Sequence, residues 1–136
     1  MMQRGELRWS SQSTDGGLNM AERLADPGTY RIARPGERTT VVELIGEHDL
    51  HTMQKLSPVL DSLSAVNDVL IIDLTRTEFM DSTVLKELVR AKHALEQHEG
   101  RLVLSGVLEP VVRRTLEVSG MIDYFDVVET WDSATR

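Results

Sequence analysis

Cysteine is absent from all 136 residues. That removes disulfides, thiolate nucleophiles and zinc–thiolate sites together, and it fits a chain working in a reducing cytoplasm. Aromatic residues make up only 4%, so a core has to be built from Leu, Val, Ile and Met. No apolar run approaches the roughly 20 residues of a membrane-spanning helix. The N-terminus has no apolar signal core, so export is not expected. An excess of basic charge is also missing. Fifteen Lys and Arg stand against 22 Asp and Glu, a net charge of −7. Phosphate affinity comes from clustered Lys and Arg, so this balance argues against nucleic acid and against an anionic membrane surface as partners.

What is present reads as one soluble globular domain. Apolar residues make up 40% and charged residues 27%, and the length is enough to bury a core. Residues 1–27, including "RWSSQSTDGG", are polar with little to bury, and read as a flexible N-terminal tail. The ordered domain is expected over residues 28–136. A monomer is expected.

From Tyr30 onward the pattern sharpens. "TYRIAR" and "TTVVELIG" flank the turn signal "PGE", which predicts a β-hairpin. In "HTMQKLSPVLDSLSAV", Met53, Leu56, Leu60 and Leu63 recur at helical spacing. Pro58 falls inside this run. Either it kinks one helix, or it opens a second with Ser57 as the cap. Val69 to Leu74 is nearly all apolar, as in a strand covered on both faces of a parallel sheet. Val84, Leu85, Leu88, Val89 and Leu95 mark the apolar face of the next helix, which Gly100 stops. "RLVLSG" reads as a strand. "EPVVRRTLEVSG" reads as a short helix with Pro110 in its first turn and Gly120 at its end. "YFDVVET" gives a last strand or extended edge. The order β-β-α-β-α-β-α-β predicts an α/β fold, a mixed sheet with a parallel portion. In such sheets partners meet the strand ends and helix starts.

The segment "FMDSTVLKEL" places Asp81, Ser82 and Thr83 immediately before an apolar helix face. Each of these residue types can cap a helix, so Asp81 or Ser82 is expected to accept a hydrogen bond from a free backbone N–H. A helix N-terminus also carries partial positive charge and welcomes a phosphate. A phosphoserine there adds about −1.5 to −2 charge without wrecking the fold, yet changes any partner surface that includes it.

Other constellations are weaker. "GEHDLHT" brings His48, Asp49 and His51 close in sequence, but the spacing matches no strong metal motif and reads as a solvated loop. Ser82 lacks the Gly-x-Ser-x-Gly setting of a hydrolase nucleophile. His93 and His98 lie further along the following helix. Arg113 and Arg114 read as a solvated helix face. No Gly-rich phosphate loop appears, so neither catalysis nor a cofactor is expected.

Three segments in order carry a resemblance to the STAS domain family, and within it to the anti-sigma factor antagonists. "ELIGEHDLHT" resembles the family's strand followed by Gly-Glu-x-Asp, here Gly46, Glu47, His48 and Asp49. "LIIDLTRTEFMDST" resembles its buried strand followed by Asp-Ser-Ser/Thr-Gly. "GRLVLSGVLEPVVRRTLEVSGMIDYFDV" resembles its terminal strand, helix and edge. The resemblance implies a mixed sheet of four to five strands with a largely parallel centre, and three to four helices mainly on one face. It implies a protein that binds an anti-sigma factor kinase and so frees a sigma factor. Ser82 matches the residue that the kinase phosphorylates, with Thr83 as the lesser candidate, and a serine phosphatase reverses the step. Gly46, Glu47, His48, Asp49, His51, Thr52, Asp81, Ser82, Thr83 and Lys86 are the implied partner surface.

The pattern departs from the family at Val84, where the family has glycine, and at Lys86, the next family glycine position. Val84 either points into the core or stands in a kinase's way. An incomplete motif favours the alternative function, a non-phosphorylated STAS scaffold or subunit of a larger regulatory or transport complex. A sensor with a small ligand at the strand-end crevice is a third reading.

Overall fold

The computed structural model describes residues 9–13 and 28–134. In chain order the strands are β1 (Ser10–Ser13), β2 (Thr29–Gly36), β3 (Thr39–His48), β4 (Val69–Asp73), β5 (Thr77–Met80), β6 (Arg101–Ser105) and β7 (Asp126–Val128). The helices are α1 (Leu50–Val66), α2 (Ser82–Glu96) and α3 (Pro110–Val118), with short 3₁₀ turns at Met121–Asp123 and Trp131–Ala134.

The sheet runs β1-β2-β3-β4-β6-β7, with β5 pairing only to β3. The β1-β2-β3 ribbon is antiparallel, and β3, β4, β6 and β7 are parallel to one another. The apolar run over 69–74 forms the central strand. Leu70 and Ile72 face the helices, while Ile71 faces the other side, and all three are fully buried. That two-sided burial is why the run does not alternate.

One face of the sheet carries the main core, where Met53, Leu56 and Leu60 of α1 meet Leu85, Leu88 and Leu95 of α2 and Val112 and Leu116 of α3. The other face has no α-helix among the described residues. Trp131 buries itself there against Ala33, Val41, Ile71 and Val103, and Trp9 packs at the margin. The two tryptophans thus give a sequence poor in aromatics its second, smaller core. Arg31 lies over the Trp9 ring at 4.4 Å and bonds the buried Glu43 at 2.8 Å.

Two expectations change, and one alternative is settled. Ser10–Ser13, read as part of a flexible tail, instead form an edge strand with Ser10 opposite Ile32 and Ser13 opposite Thr29. The rest of that stretch, 1–8 and 14–27, lies outside the described residues. The sheet gains this strand and β5 over the count expected. Of the two readings of Pro58, the second helix start falls and the single helix stands, for α1 runs from Leu50 to Val66 with Pro58 inside it. A proline removes one N–H from a helix, and the 17-residue helix retains its packed apolar face.

Candidate functional site

The site is made by the end of β3. Gly46 has φ +87°, a left-handed conformation that only glycine takes freely. The register of the β3–β5 ladder shifts between Gly46 and Glu47. Beyond the shift Glu47 lies opposite Phe79 and His48 opposite Met80. Each strand then feeds a helix at the next residue. The backbone N–H of Asp81 donates to the His48 carbonyl at 3.3 Å. The starts of α1 and α2 therefore stand side by side, each capped by an aspartate.

Asp49 caps α1. Its carboxylate accepts from Thr52 N, and Thr52 Oγ1 accepts from Asp49 N at 3.0 Å, a reciprocal capping box. Asp81 caps α2, its Oδ1 accepting from Thr83 N at 2.9 Å and from Val84 N at 3.4 Å. Of the two residues left open as caps, Asp81 has the role. Ser82 is the first helical residue and is exposed. Its hydroxyl makes no hydrogen bond among the described residues. Thr83 is half-buried. Val84 is fully buried, so its β-branched side chain points into the core and leaves the approach to Ser82 open.

The candidate partner residues divide by exposure. Glu47, Asp49, His51 and Lys86 are exposed, and Gly46 and Asp81 are half-buried. His48 and Thr52 are fully buried, so their side chains do not face a partner, contrary to expectation. The His48 ring is enclosed by the chain's own backbone. Nε2 lies 3.2 Å from both the Thr29 and Ile45 carbonyls, and Nδ1 lies 3.2 Å from Thr52 Oγ1. Two carbonyls facing Nε2 assign the proton to that nitrogen. Burial pushes the imidazole pKa below its ordinary value, although Ile45, Thr29 and Asp49 each favour the charged form. Gly28 makes room for this ring, since a Cβ there would lie 2.7 Å from His48 Cδ2. With both nitrogens engaged, His48 does not offer a lone pair to a metal beside Asp49 and His51.

Among the described residues no base is hydrogen-bonded to the Ser82 hydroxyl. His93 bonds the Tyr124 hydroxyl at 2.8 Å, and His98 bonds the Ser64 carbonyl at 2.8 Å. Both lie beyond the first turn of α2.

A groove of about 290 Å³ runs between α1 and α2, lined by Leu50, Met53 and Pro58 on one side and Thr83 and Glu87 on the other. Ser57 donates to Glu87 at 2.9 Å, and Arg90 pairs with Asp61 at 2.8 Å, holding the two helices together. Exposed Leu50 and Phe79 flank the paired caps. Neither stood out in the sequence, because each fits a helix or strand pattern as well as any core residue.

Residues 30–134 match the STAS domain. The chain belongs to the STAS domain family, and within it to the anti-sigma factor antagonists. It is 32% identical over 83 residues to an anti-sigma-B factor antagonist of Listeria monocytogenes, covering 60% of this chain and 72% of that one. An anti-sigma factor antagonist from Mycobacterium paratuberculosis superposes with a TM-score of 0.70 and 27% identity, over 79% of this chain and 91% of the other. The antagonist SpoIIAA in its unphosphorylated form gives 0.69 and 23%, over 78% and 92%. SpoIIAA from Bacillus in its phosphorylated form shares the fold as well. No helix among the described residues is long and apolar enough to cross a membrane.

Proposed function

We propose that this protein binds an anti-sigma factor kinase in the cytoplasm, thereby freeing a sigma factor, and is reset by phosphorylation on Ser82. The observation that carries the reading is the division of labour at the start of α2. Asp81 satisfies the helix N–H groups and Val84 fills the core, so the Ser82 hydroxyl is exposed with no structural task. A kinase bound there reaches a free hydroxyl and transfers the γ-phosphoryl group of ATP to it.

The phosphate would stand at the positive end of the α2 dipole, where a dianion is tolerated. It would also stand in the middle of the docking face beside Glu47, Asp49, Asp81, Thr83 and Lys86. Docking is lost while the fold is kept, and a serine phosphatase hydrolyses the ester and restores the binding form. The protein itself is not an enzyme in this reading. His93 and His98 are engaged elsewhere, so the Ser82 hydroxyl attacks the γ-phosphorus only when a bound kinase supplies the base that takes its proton.

The test uses the anti-sigma factors of the source organism, purified and titrated against three forms of the chain. Wild type and Ser82→Ala should bind one of them alike, and Ser82→Asp should bind it roughly tenfold or more weakly, about 1.4 kcal/mol. Equal binding by all three forms would instead support the constitutive scaffold.

A further inference from the structure

The docking face foreseen in the sequence runs from the Gly46–Thr52 loop across the start of α2 to the exposed face of that helix. Helical spacing shows that Ser82, within that face, also borders a second flank of α2. Thr83 and Glu87 lie on the α1 side, where Glu87 bonds Ser57. Ser82 lies on the opposite flank, one helical turn from Leu85 and two from Val89. Further along that flank Lys92 sits over the Tyr124 ring at 4.9 Å, just beyond α3. The helix beyond that flank is α3, which packs against β5 just before Ser82.

Helix α3 turns an unusual surface toward this place. Thr115 Oγ1 lies 3.4 Å from the carbonyl of Met80, two residues before Ser82. Val111 and Val118, four residues before and three after Thr115, share its side of the helix. They are 44% and 76% exposed, although Val112 and Leu116 already supply the buried face. Arg114 falls between the two valines on the same side and is exposed. Lys86 is one turn from Ser82 on α2 and is likewise exposed. Arg31, Arg38, Arg76, Arg90, Lys92 and Arg101 all answer acids of this chain. Lys86 and Arg114 make no ion pair among the described residues. In a protein of net charge −7, these are two cations with no ion pair among the described residues, placed beside an exposed apolar stripe and the candidate phosphorylation site.

We infer that the α3 stripe of Val111, Arg114, Thr115 and Val118, together with Lys86, is part of the docking face, and that it receives an amphipathic segment of the anti-sigma partner. That segment is apolar where it covers the valines and carries carboxylates where it meets Lys86 and Arg114. The inference rests on the function proposed above and gives that function a physical trigger. A phosphate on Ser82 stands one turn from Lys86, close enough to take its charge. The same dianion then faces the partner's carboxylates, and attraction becomes repulsion.

The experiment titrates the anti-sigma factor that binds wild type against Val118→Asp, Val111→Asp, Lys86→Glu and Arg114→Glu. Arg34→Glu is the control, an equal charge change on β2 at the far end of the sheet. Each of the first four should bind about tenfold more weakly, and Arg34→Glu should bind as wild type does. Wild-type affinity should fall as salt is added, and less so for Lys86→Glu. All four sites are exposed, so the melting transitions should match wild type; Val118→Ser replaces any aspartate variant that does not fold. If Ser82→Asp weakens binding and the α3 and Lys86 variants do not, this inference is wrong and the proposed function stands. If no anti-sigma factor binds wild type, both fall.

Discussion

The backbone N–H of Asp81 donates to the carbonyl of His48 across 3.3 Å. This bond joins two segments more than thirty residues apart at the point where each turns into a helix. On one side it holds the cap of α2. On the other it fixes a histidine enclosed by the chain's own carbonyls, one residue before the cap of α1. Disturbance at either end should therefore be felt at the other, and stability measurements can read it.

Replacing Asp81 by alanine removes the side-chain acceptor of Thr83 N, while Val84 N keeps its bond to the Asp81 carbonyl at 3.1 Å. The loss should cost about 1 kcal/mol and lower the melting temperature by a few degrees. Asp81→Asn, which keeps a side-chain oxygen, should recover most of it. Equal melting of Asp81→Ala and wild type would mean that Ser82 takes over the cap.

His48 makes stability depend on pH in a definite direction. Its folded pKa lies below the ordinary 6.5 because of burial. Between the two values the unfolded chain binds the proton and the folded chain does not, so stability falls as pH falls below 6.5. Above 6.5 both states are neutral and the contribution is complete. Urea unfolding of wild type and His48→Gln between about pH 8 and about pH 5 should show the gap between them narrowing on the acid side. A constant gap would contradict the burial of a neutral ring.

Gly28→Ala should be costly although no special φ is needed there. The added Cβ would lie 2.6 Å from the Glu47 carbonyl oxygen as well as against the His48 ring. Neither neighbour is the free end of a flexible side chain. A loss of about 2 kcal/mol is expected, with weaker partner binding because the capped end of α1 shifts. Unchanged melting would show that the segment before β2 does not hold this ring.

Much of this was legible in the sequence for physical reasons. The apolar run at 69–74 and the helical spacing of Val84, Leu85, Leu88 and Leu95 each report burial directly. The "PGE" turn gave the hairpin. What was not legible depends on partners distant in the chain. "GEHDLHT" is polar and reads as a loop, yet His48 is buried by Thr29 and Gly28, about twenty residues upstream. Ser10–Ser13 has no apolar alternation and becomes a strand only because β2 offers an open edge. Asp81 and Ser82 are equally good caps by composition, and only the backbone geometry chooses between them. The Gly100 reading also shifts. The left-handed residue is Glu99, with φ 64°, and Gly100 is needed because Asp68 O and Leu95 leave a Cβ only 3.0–3.1 Å of room.

The valines of α3 are a different case. Val111 and Val118 stand seven residues apart in "EPVVRRTLEVSG", a spacing as compatible with burial as with docking. Only the observation that Val112 and Leu116 already fill the core separates the two.

Exposed Ser82 at the first position of α2 should tolerate any small polar residue. Ser82→Ala and Ser82→Asp should both melt within about 0.5 kcal/mol of wild type, with the aspartate the more stable because of the helix dipole. A large loss from either would mean that the hydroxyl holds structure after all.

The most direct test of the account is to incubate the chain with its anti-sigma factor and ATP and locate the phosphate by mass spectrometry. A single phosphate on Ser82, absent from Ser82→Ala and removed by a serine phosphatase with recovery of binding, is the predicted result. A phosphate on Thr83 alone, or none with a kinase that binds the chain tightly, would contradict it.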